Sequence, residues 1–320
     1  MNILYCGDAG VARGVLVSIL SLMKNCTEPL EIYIMTINCE NVKPFRAHTV
    51  EFLDKLVKNG TTAGWENEKV SDCDVANSPA NKKQDDGAAN KKQDDRPTVD
   101  QLCLKGNKKS FVKLIDATEV FVKNLPRKNM GSYFTPASML RLYLAKMPEL
   151  KKLDRILYLD YDVVCRKDLK EFYYQSLDQI EAVGALDIYG QHFYRYHGLF
   201  NKDYMNSGVM LFNIPECLKT GMFDRAIKLC GEKKMFLADQ AALNKAITRR
   251  KIADRKYNEQ AERPKKDTVL HHFSNNFKFW PFFRVQKVKS FEIDKIHQVL
   301  QIYEYDDILA LYQRLVSKIA

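Results

Sequence analysis

The stretch "RILYLDYDVV", residues 155–164, decides how the rest of the chain is interpreted. Residues 156–159 form a short run of apolar, β-prone side chains, which predicts a buried strand. Asp160 and Asp162 follow, and apolar residues resume at Val163. Because residues i and i+2 of an extended chain share a face, both carboxylates can point into one site. Such a pair at the end of a buried strand is costly to desolvate unless something compensates its charge.

Three interpretations of this carboxylate pair are open. A divalent cation would compensate the charge, and carboxylate oxygens select a hard ion such as Mg²⁺ or Mn²⁺. Alternatively, the two aspartates cap the strand and are solvated in a turn. A strand ending in D-x-D-x-V also resembles haloacid-dehalogenase-type phosphatases, in which Asp160 would be the nucleophile. In that class the motif usually ends the first strand, whereas here much of an α/β sheet precedes it.

The composition indicates a globular protein. With 46% hydrophobic and 11% aromatic residues among 320, the chain can bury the core of one large domain or two ordinary ones. The opening residues show no secretory signal pattern, and no apolar run approaches the roughly 18–20 residues that span a bilayer. The eight cysteines are scattered without a CxxC pair, which predicts reduced thiols rather than disulfides or a cysteine metal cluster. We therefore expect a cytoplasmic protein.

The net charge of +10 suggests an anionic partner, which can be nucleic acid, a membrane surface or a phosphorylated ligand. Charge alone does not choose among them. The chain shows no nucleic-acid-binding motif, so we expect no nucleic acid partner.

Strand and helix patterns alternate along the chain. A strand "NILYC", a turn "GDAG", a helix "VLVSILSLMKN" and a strand "EIYIMTI" open it, which is typical of a doubly wound α/β fold with ligands at the carboxyl ends of its strands. Further strands are predicted at 111–117 and 207–214, and helices at 135–147, 221–230 and 239–247. Between about 60 and 110 the pattern fails, and "ANKKQDD" occurs twice, at 80–86 and 89–95. This polar repeat predicts a mobile surface insertion.

Several segments occur in an order that resembles glycosyltransferase family 8. They are "SMLRLYL", "LYLDYDVV", "ALD", "NSGVMLFN", "DQAALN" and "HFSNNFKFW", and the resemblance covers about residues 1–283 apart from the insertion. The family is retaining and nucleotide-sugar-dependent, and includes lipooligosaccharide galactosyltransferases and glycogenin. The resemblance implies a GT-A-type, Rossmann-like domain at 1–283 with a mixed, mainly parallel sheet. In the tail that follows, apolar residues recur at helical spacing and predict a helical C-terminal extension at 284–320: Ile296, Val299, Leu300, Ile308, Leu311 and Leu315. The resemblance also implies metal-dependent transfer of galactose or glucose from a UDP-sugar to an acceptor hydroxyl of a glycan or glycolipid.

The resemblance further implies a metal site. Asp160, Asp162 and His272 match the family's ligands for Mn²⁺ or Mg²⁺, while His271 is one residue out of register and would face the opposite way in a strand. Lys278 matches the lysine that the family places against the distal phosphate.

Other matches concern the donor. Asp8 matches a base-contacting position, Arg141 lies near the sugar and its carboxylates, and Gln240 lies close to the anomeric carbon. The remaining matches contact sugar hydroxyls or line the sugar pocket: Asp187, Asp239, Asn206, Ser207 and Gly208.

Plainer roles compete with these matches. Asp8 can organise its turn, and Asp239 can be a helix N-cap. Asn206, Ser207 and Gly208 can form an ordinary turn before a strand.

The chain also departs from the family pattern. Gly10 and Val11 replace an Asn-Tyr pair, Asn275 replaces a glycine and Phe279 replaces a proline, whereas Trp280 is retained.

The acceptor is not named by any motif. The aromatic loop at 187–204 is expected to frame it, and basic residues of the tail to contact an anionic membrane: Arg284, Lys287, Lys289 and Lys295. A non-catalytic protein that binds nucleotide sugars is a further alternative.

Overall fold

The computed structural model describes residues 1–39, 42–61, 102–130, 136–188, 203–235, 237–278 and 284–319, and of residues 276–278 and 284 it describes the backbone alone. The ANKKQDD repeat, residues 189–202 of the aromatic loop, Phe279 and Trp280 lie outside these ranges.

The strands follow the chain as β1 Asn2–Cys6, β2 Glu31–Thr36, β3 Phe111–Asp116, β4 Arg155–Leu159, β5 Val163–Cys165, β6 Ala182–Leu186, β7 Met205–Asn213, β8 Arg250–Ala253, β9 Leu270–His272, β10 Asn276–Lys278 and β11 Arg284–Gln286. Seven of them form one sheet in the order β3-β2-β1-β4-β7-β6-β8. All its neighbouring pairs are parallel except those of β7, which runs antiparallel to both β4 and β6. The order reverses beside β1, and ligands of doubly wound sheets bind at such a reversal.

The α-helices are α1 Ala12–Asn25, α2 Ala47–Asn59, α3 Thr118–Lys123, α4 Lys170–Tyr173, α5 Ile214–Thr220, α6 Met222–Glu232, α7 Ala238–Ala246, α8 Ile293–Lys295 and α9 Asp306–Leu315. The segment predicted as a helix at 135–147 forms a 3₁₀ helix over Pro136–Lys146. Within the described ranges, no helix is both long enough and apolar enough to cross a bilayer.

The β4 strand is covered on both faces, which explains its continuous apolar run. Leu157 and Leu159 pack in a core with α1, α2 and the C-terminal helices. Ile156 and Tyr158 point the other way, into a core with the Pro136–Lys146 helix and α5–α7. Alternate side chains of this strand are therefore buried in two different cores. The polar residues lie beyond the end of the strand.

The tail is packed into the first core. Ile296, Ile308, Leu311 and Leu315 are buried there among side chains of α1 and α2. Their helical spacing had predicted a helical extension, and the structure shows where its apolar face is buried.

The two described ends of the insertion are joined to each other at the end of α2. Thr61 N donates to Leu104 O at 2.9 Å, and Asn107 N donates to Val57 O at 2.8 Å. Residues 102–110 thus belong to the folded domain, although the sequence pattern had placed them within the insertion.

Candidate active site

Two carboxylates and an imidazole converge at the end of β4. Asp160 and Asp162 lie in the turn between β4 and β5, and the pairing of Val163 with His272 brings β9 alongside. His272 Nε2 lies 3.7 Å from Asp160 Oδ2 and 3.4 Å from Asp162 Oδ1. One ligand atom from each residue lies within 4.8 Å of the others. This set of two anionic oxygens and one nitrogen fits a divalent cation.

Gly208 allows this convergence. A Cβ atom at this position would lie 2.2 Å from His272 Cε1 and 2.9 Å from Asp160 Oδ2. Asp160 N also donates to Gly208 O at 2.8 Å, so the two backbones are joined at this point. Any larger residue would separate the imidazole from the carboxylate, as expected where glycine marks a close approach in a strand.

Arg141 compensates the first carboxylate from the protein interior. Its side chain is only 5% exposed, and Nη2 lies 2.9 Å from Asp160 Oδ1 while Nε lies 3.1 Å from Asp239 Oδ2. Nη1 donates to Ser207 O at 2.7 Å. Burial acts to lower the pKa of Arg141, but Asp160, Tyr158 and Asp239 outweigh it and raise the pKa above the usual value. Arg141 is therefore a permanent positive charge.

The two oxygens of Asp160 have different surroundings. Tyr158 donates its hydroxyl to Oδ1 at 2.6 Å, and Arg141 also binds Oδ1. The other oxygen, Oδ2, faces His272. The core side of the site thus fixes the orientation of the carboxylate, and the opposite oxygen is directed at the candidate cation position.

Lys289 compensates the second carboxylate. Its Nζ donates to Asp162 Oδ2 at 2.7 Å, whereas Asp162 Oδ1 faces His272. Burial acts to raise the pKa of Asp162, but the ammonium group of Lys289 opposes it, and the pKa lies below its usual range. This contact corrects the prediction that Lys289 is a membrane-facing residue of the tail, because its ammonium group points into the site.

The residues matched to the sugar pocket form one hydrogen-bonded network. Gln240 Nε2 donates to Asp187 Oδ2 at 2.8 Å, and Gln240 Oε1 accepts from Ser207 N at 2.9 Å. Asn206 Nδ2 donates to the same Asp187 oxygen at 3.1 Å. These residues meet because β6 ends before Asp187, while the antiparallel β7 begins at this edge. The network fixes the orientation of the Gln240 amide.

Asp239 does not cap α7. The N-cap position is Leu237, and Asp239 lies in the first turn with its carboxylate on Arg141. Burial raises the pKa of Asp239, Arg141 acts to lower it, and the net shift is upward.

Asp8 and Lys278 are the remaining residues that were predicted to contact the donor. Asp8 caps the 3₁₀ turn Ala9–Val11 and accepts from Gly10 N at 2.8 Å, so it does organise its turn. It follows β1 and therefore lies at the same edge of the sheet as Asp160. Lys278 ends β10, but its side chain lies outside the described part of the structure.

Asn258 was missed at the level of sequence. It is buried, donates to Asn206 Oδ1 at 3.0 Å, and its own oxygen lies 3.1 Å from His272 Nδ1. Because an amide oxygen can only accept, this contact assigns the imidazole proton to Nδ1 and leaves the Nε2 lone pair facing the carboxylates. Asn258 joins the sugar-pocket network to the candidate metal ligands, but the surrounding "KYNEQ" carries no motif that signals it.

His271 faces away from the carboxylates. Its Nδ1 lies 2.8 Å from Tyr305 Oη and its Nε2 lies 2.9 Å from Ala261 O. Burial lowers the pKa of His271 to about 4. This histidine joins β9 to the tail.

The sheet order and its polar carboxyl edge define an α/β protein of the GT-A type. The model of glycosyl transferase family 8 matches residues 2–282, and the chain belongs to this family. This membership and fold replace the phosphatase alternative.

Individual proteins that resemble this chain share only a small part of its sequence. A lipopolysaccharide 1,2-glucosyltransferase of Escherichia coli is 30% identical over 169 residues, which are 50% of this chain and 48% of that protein. The chain therefore spans about half the length of this relative. A crystal structure of an active-site mutant of LgtC has a TM-score of 0.60 at 13% identity, covering 98% of this chain and 95% of that one. The galactosyltransferase LgtC in complex with donor and acceptor sugar analogs has a TM-score of 0.57 at 12% identity, covering 99% and 100%.

Proposed function

We propose that the protein is a metal-dependent retaining glycosyltransferase that moves a hexose, galactose or glucose, from a UDP-sugar to an acceptor hydroxyl. The observation that carries this proposal is the convergence of Asp160, Asp162 and His272 beside the hydrogen-bonded network of Asp187, Asn206 and Gln240. Family membership supports the reaction class.

Asp160, Asp162 and His272 would hold the cation, Mn²⁺ or Mg²⁺. The fit rests on the donor set and on Gly208, whose lack of a side chain keeps the imidazole close to Asp160. When bound, the ion supplies positive charge for the departing diphosphate, which is the main electrostatic demand of the transfer.

The chain's own residues supply orientation. Arg141 holds Asp160 and Asp239 at fixed positions, so the pocket has a permanent charge pattern before the donor enters. We assign Asp187, Asn206 and Asp239 to the sugar hydroxyls. The Gln240 amide is a weak nucleophile, and its oxygen accepts from Ser207, so we assign it the positioning of the sugar near the anomeric carbon.

The acceptor is proposed by analogy. The relatives include a lipopolysaccharide glucosyltransferase of Escherichia coli and the galactosyltransferase LgtC. A glycan or glycolipid acceptor is consistent with both names, and we propose one here.

A cytoplasmic location with peripheral contact to the inner membrane face stays a prediction. Of the four basic tail residues, Lys289 lies in the site, Lys295 pairs with Glu292 at 2.5 Å, and the side chain of Arg284 lies outside the described residues.

A nucleotide-sugar panel tests the proposed reaction. Purified protein with Mn²⁺ is expected to bind UDP-galactose or UDP-glucose and to release UDP slowly by hydrolysis or transfer, whereas Asp162→Asn is expected to lose most of this activity. Tight binding without release of UDP in the presence of candidate acceptors would favour the non-catalytic alternative. The absence of binding to any UDP-sugar would overturn the proposal.

A further inference from the structure

Lys289 has a fixed backbone beside the candidate metal site. It lies between β11 and α8, and its neighbours Val288 and Ser290 are buried. Lys289 N donates to Glu292 Oε2 at 2.8 Å, and Glu292 N donates back to Lys289 O at 3.0 Å. This turn holds the Cα atom of Lys289 in place while its long side chain extends to Asp162.

The ammonium group of Lys289 is the accessible part of this cluster. Its side chain is 24% exposed, compared with 5% for Asp162. Nζ also lies 5.4 Å from the centre of the Tyr161 ring. An ammonium group has three N–H donors, so Lys289 can keep its contact with Asp162 and still bind an anion that arrives from solvent.

The charges around the site indicate what that anion is. Arg141 is shared by two carboxylates, those of Asp160 and Asp239, whereas Lys289 binds the carboxylate of Asp162. A divalent cation at Asp160 and Asp162 would be repelled by the nearby ammonium group of Lys289. A diphosphate is negatively charged and would attract both the cation and the ammonium group. Its arrival would therefore offset the repulsion between these two positive charges.

We propose that Lys289 binds the diphosphate of the nucleotide and makes binding of the cation depend on the nucleotide. It weakens the binding of Mn²⁺ to the protein alone and strengthens the binding of UDP once Mn²⁺ is present. By thermodynamic reciprocity, the factor by which UDP increases Mn²⁺ affinity equals the factor by which Mn²⁺ increases UDP affinity. This inference rests on the proposed function and adds a ligand-binding residue from the tail.

The experiment measures both affinities in Lys289→Met. Free Mn²⁺ is titrated by electron paramagnetic resonance without nucleotide, and UDP is titrated by calorimetry at saturating Mn²⁺. We expect Lys289→Met to bind Mn²⁺ alone about threefold tighter and UDP about tenfold more weakly, within the usual range of coupling between sites. Lys289→Arg is expected to keep the direction of the coupling seen in the unaltered protein.

Lys24→Met is the matched control, because Lys24 pairs with Asp307 of the tail and lies in the last turn of α1, at the opposite edge of the sheet from the site. It is expected to leave both affinities unchanged. If Lys289→Met does not fold, Lys289→Gln keeps a hydrogen-bond donor and removes only the charge, so the same two titrations decide.

Opposite changes in the two affinities support the inference. A joint loss of both affinities would assign Lys289 a purely structural role and overturn the inference, as would unchanged affinities. These results leave the proposed function standing, because the unaltered protein would still bind Mn²⁺ and UDP. If the unaltered protein binds neither, the proposed function itself fails, and this inference fails with it.

Discussion

The two sides of the carboxylate pair are held by cations of different character. Arg141 is 5% exposed, binds two carboxylates and Ser207 O, and lies 4.3 Å above the Tyr158 ring. Lys289 is 24% exposed and holds the carboxylate of Asp162. A guanidinium fork with several buried partners is preorganised, whereas an ammonium group on a flexible stem can change partners. One side of the site is therefore held rigidly, whereas the other is held by a single, partly exposed charge.

The largest expected effect comes from removing the fixed cation. Arg141→Met leaves the buried carboxylate of Asp239 and the partly buried carboxylate of Asp160 without their partner, and breaking such an arrangement costs about 3–5 kcal/mol. Lys289→Met is expected to cost only about 1–2 kcal/mol, because it leaves one carboxylate without its partner instead of two, and the ammonium group is already partly hydrated. Urea unfolding measures both free energies. Equal losses would remove the distinction between the two sides.

The next effect concerns the ligands that face the cation position. Asp162→Asn keeps the shape of the side chain but removes its negative charge, and His272→Ala removes the nitrogen ligand. Both are expected to lower Mn²⁺ affinity and to reduce turnover about a hundredfold, equivalent to about 2.7 kcal/mol. Mn²⁺ titrations in the presence of UDP check this, and unchanged affinity in both variants would reject the site.

The neighbouring histidine provides the matched contrast. His271→Ala removes the partner of Tyr305 Oη and of Ala261 O, and we expect a loss of about 2 kcal/mol in the free energy of unfolding. Its Mn²⁺ affinity should stay near that of the unaltered protein, since the ring points towards the tail. Thermal unfolding and Mn²⁺ titration together separate this result from that of His272→Ala.

The smallest effect is expected at Asn258. Asn258→Ala removes the acceptor that assigns the proton to His272 Nδ1, and loss of such a supporting partner typically lowers metal affinity about tenfold. The ¹⁵N shifts of the His272 ring report its tautomer directly. A ring that keeps its proton on Nδ1 in the variant would show that another group orients it.

The sequence predicted the parts of the site that depend on local pattern. Asp160 and Asp162 directly follow a short, continuous apolar run, so their position at the end of a buried strand could be inferred before any contact was known. The family resemblance and the GT-A fold are confirmed by the family match and the solved structures. The functional roles of the matched residues, Gln240 and Asp187 among them, stay predictions.

The missing parts depend on contacts between distant segments. Lys289 is 127 residues from Asp162 along the chain, and Asn258 is 52 residues from Asn206. A lysine in a basic tail has the same local appearance whether it faces solvent or a buried carboxylate. Only the packing of the tail against the domain decides between the two.

The packing of the tail shows that the family match and the hydrophobic core end at different residues. The family match ends at residue 282, whereas the apolar residues Ile296, Leu311 and Leu315 complete the core that surrounds α1. A chain that ended at residue 282 would keep the whole family match but would lose apolar side chains that cover α1. It would also lose Lys289, so a segment outside the family match supplies the positive charge that holds Asp162 in the candidate metal site.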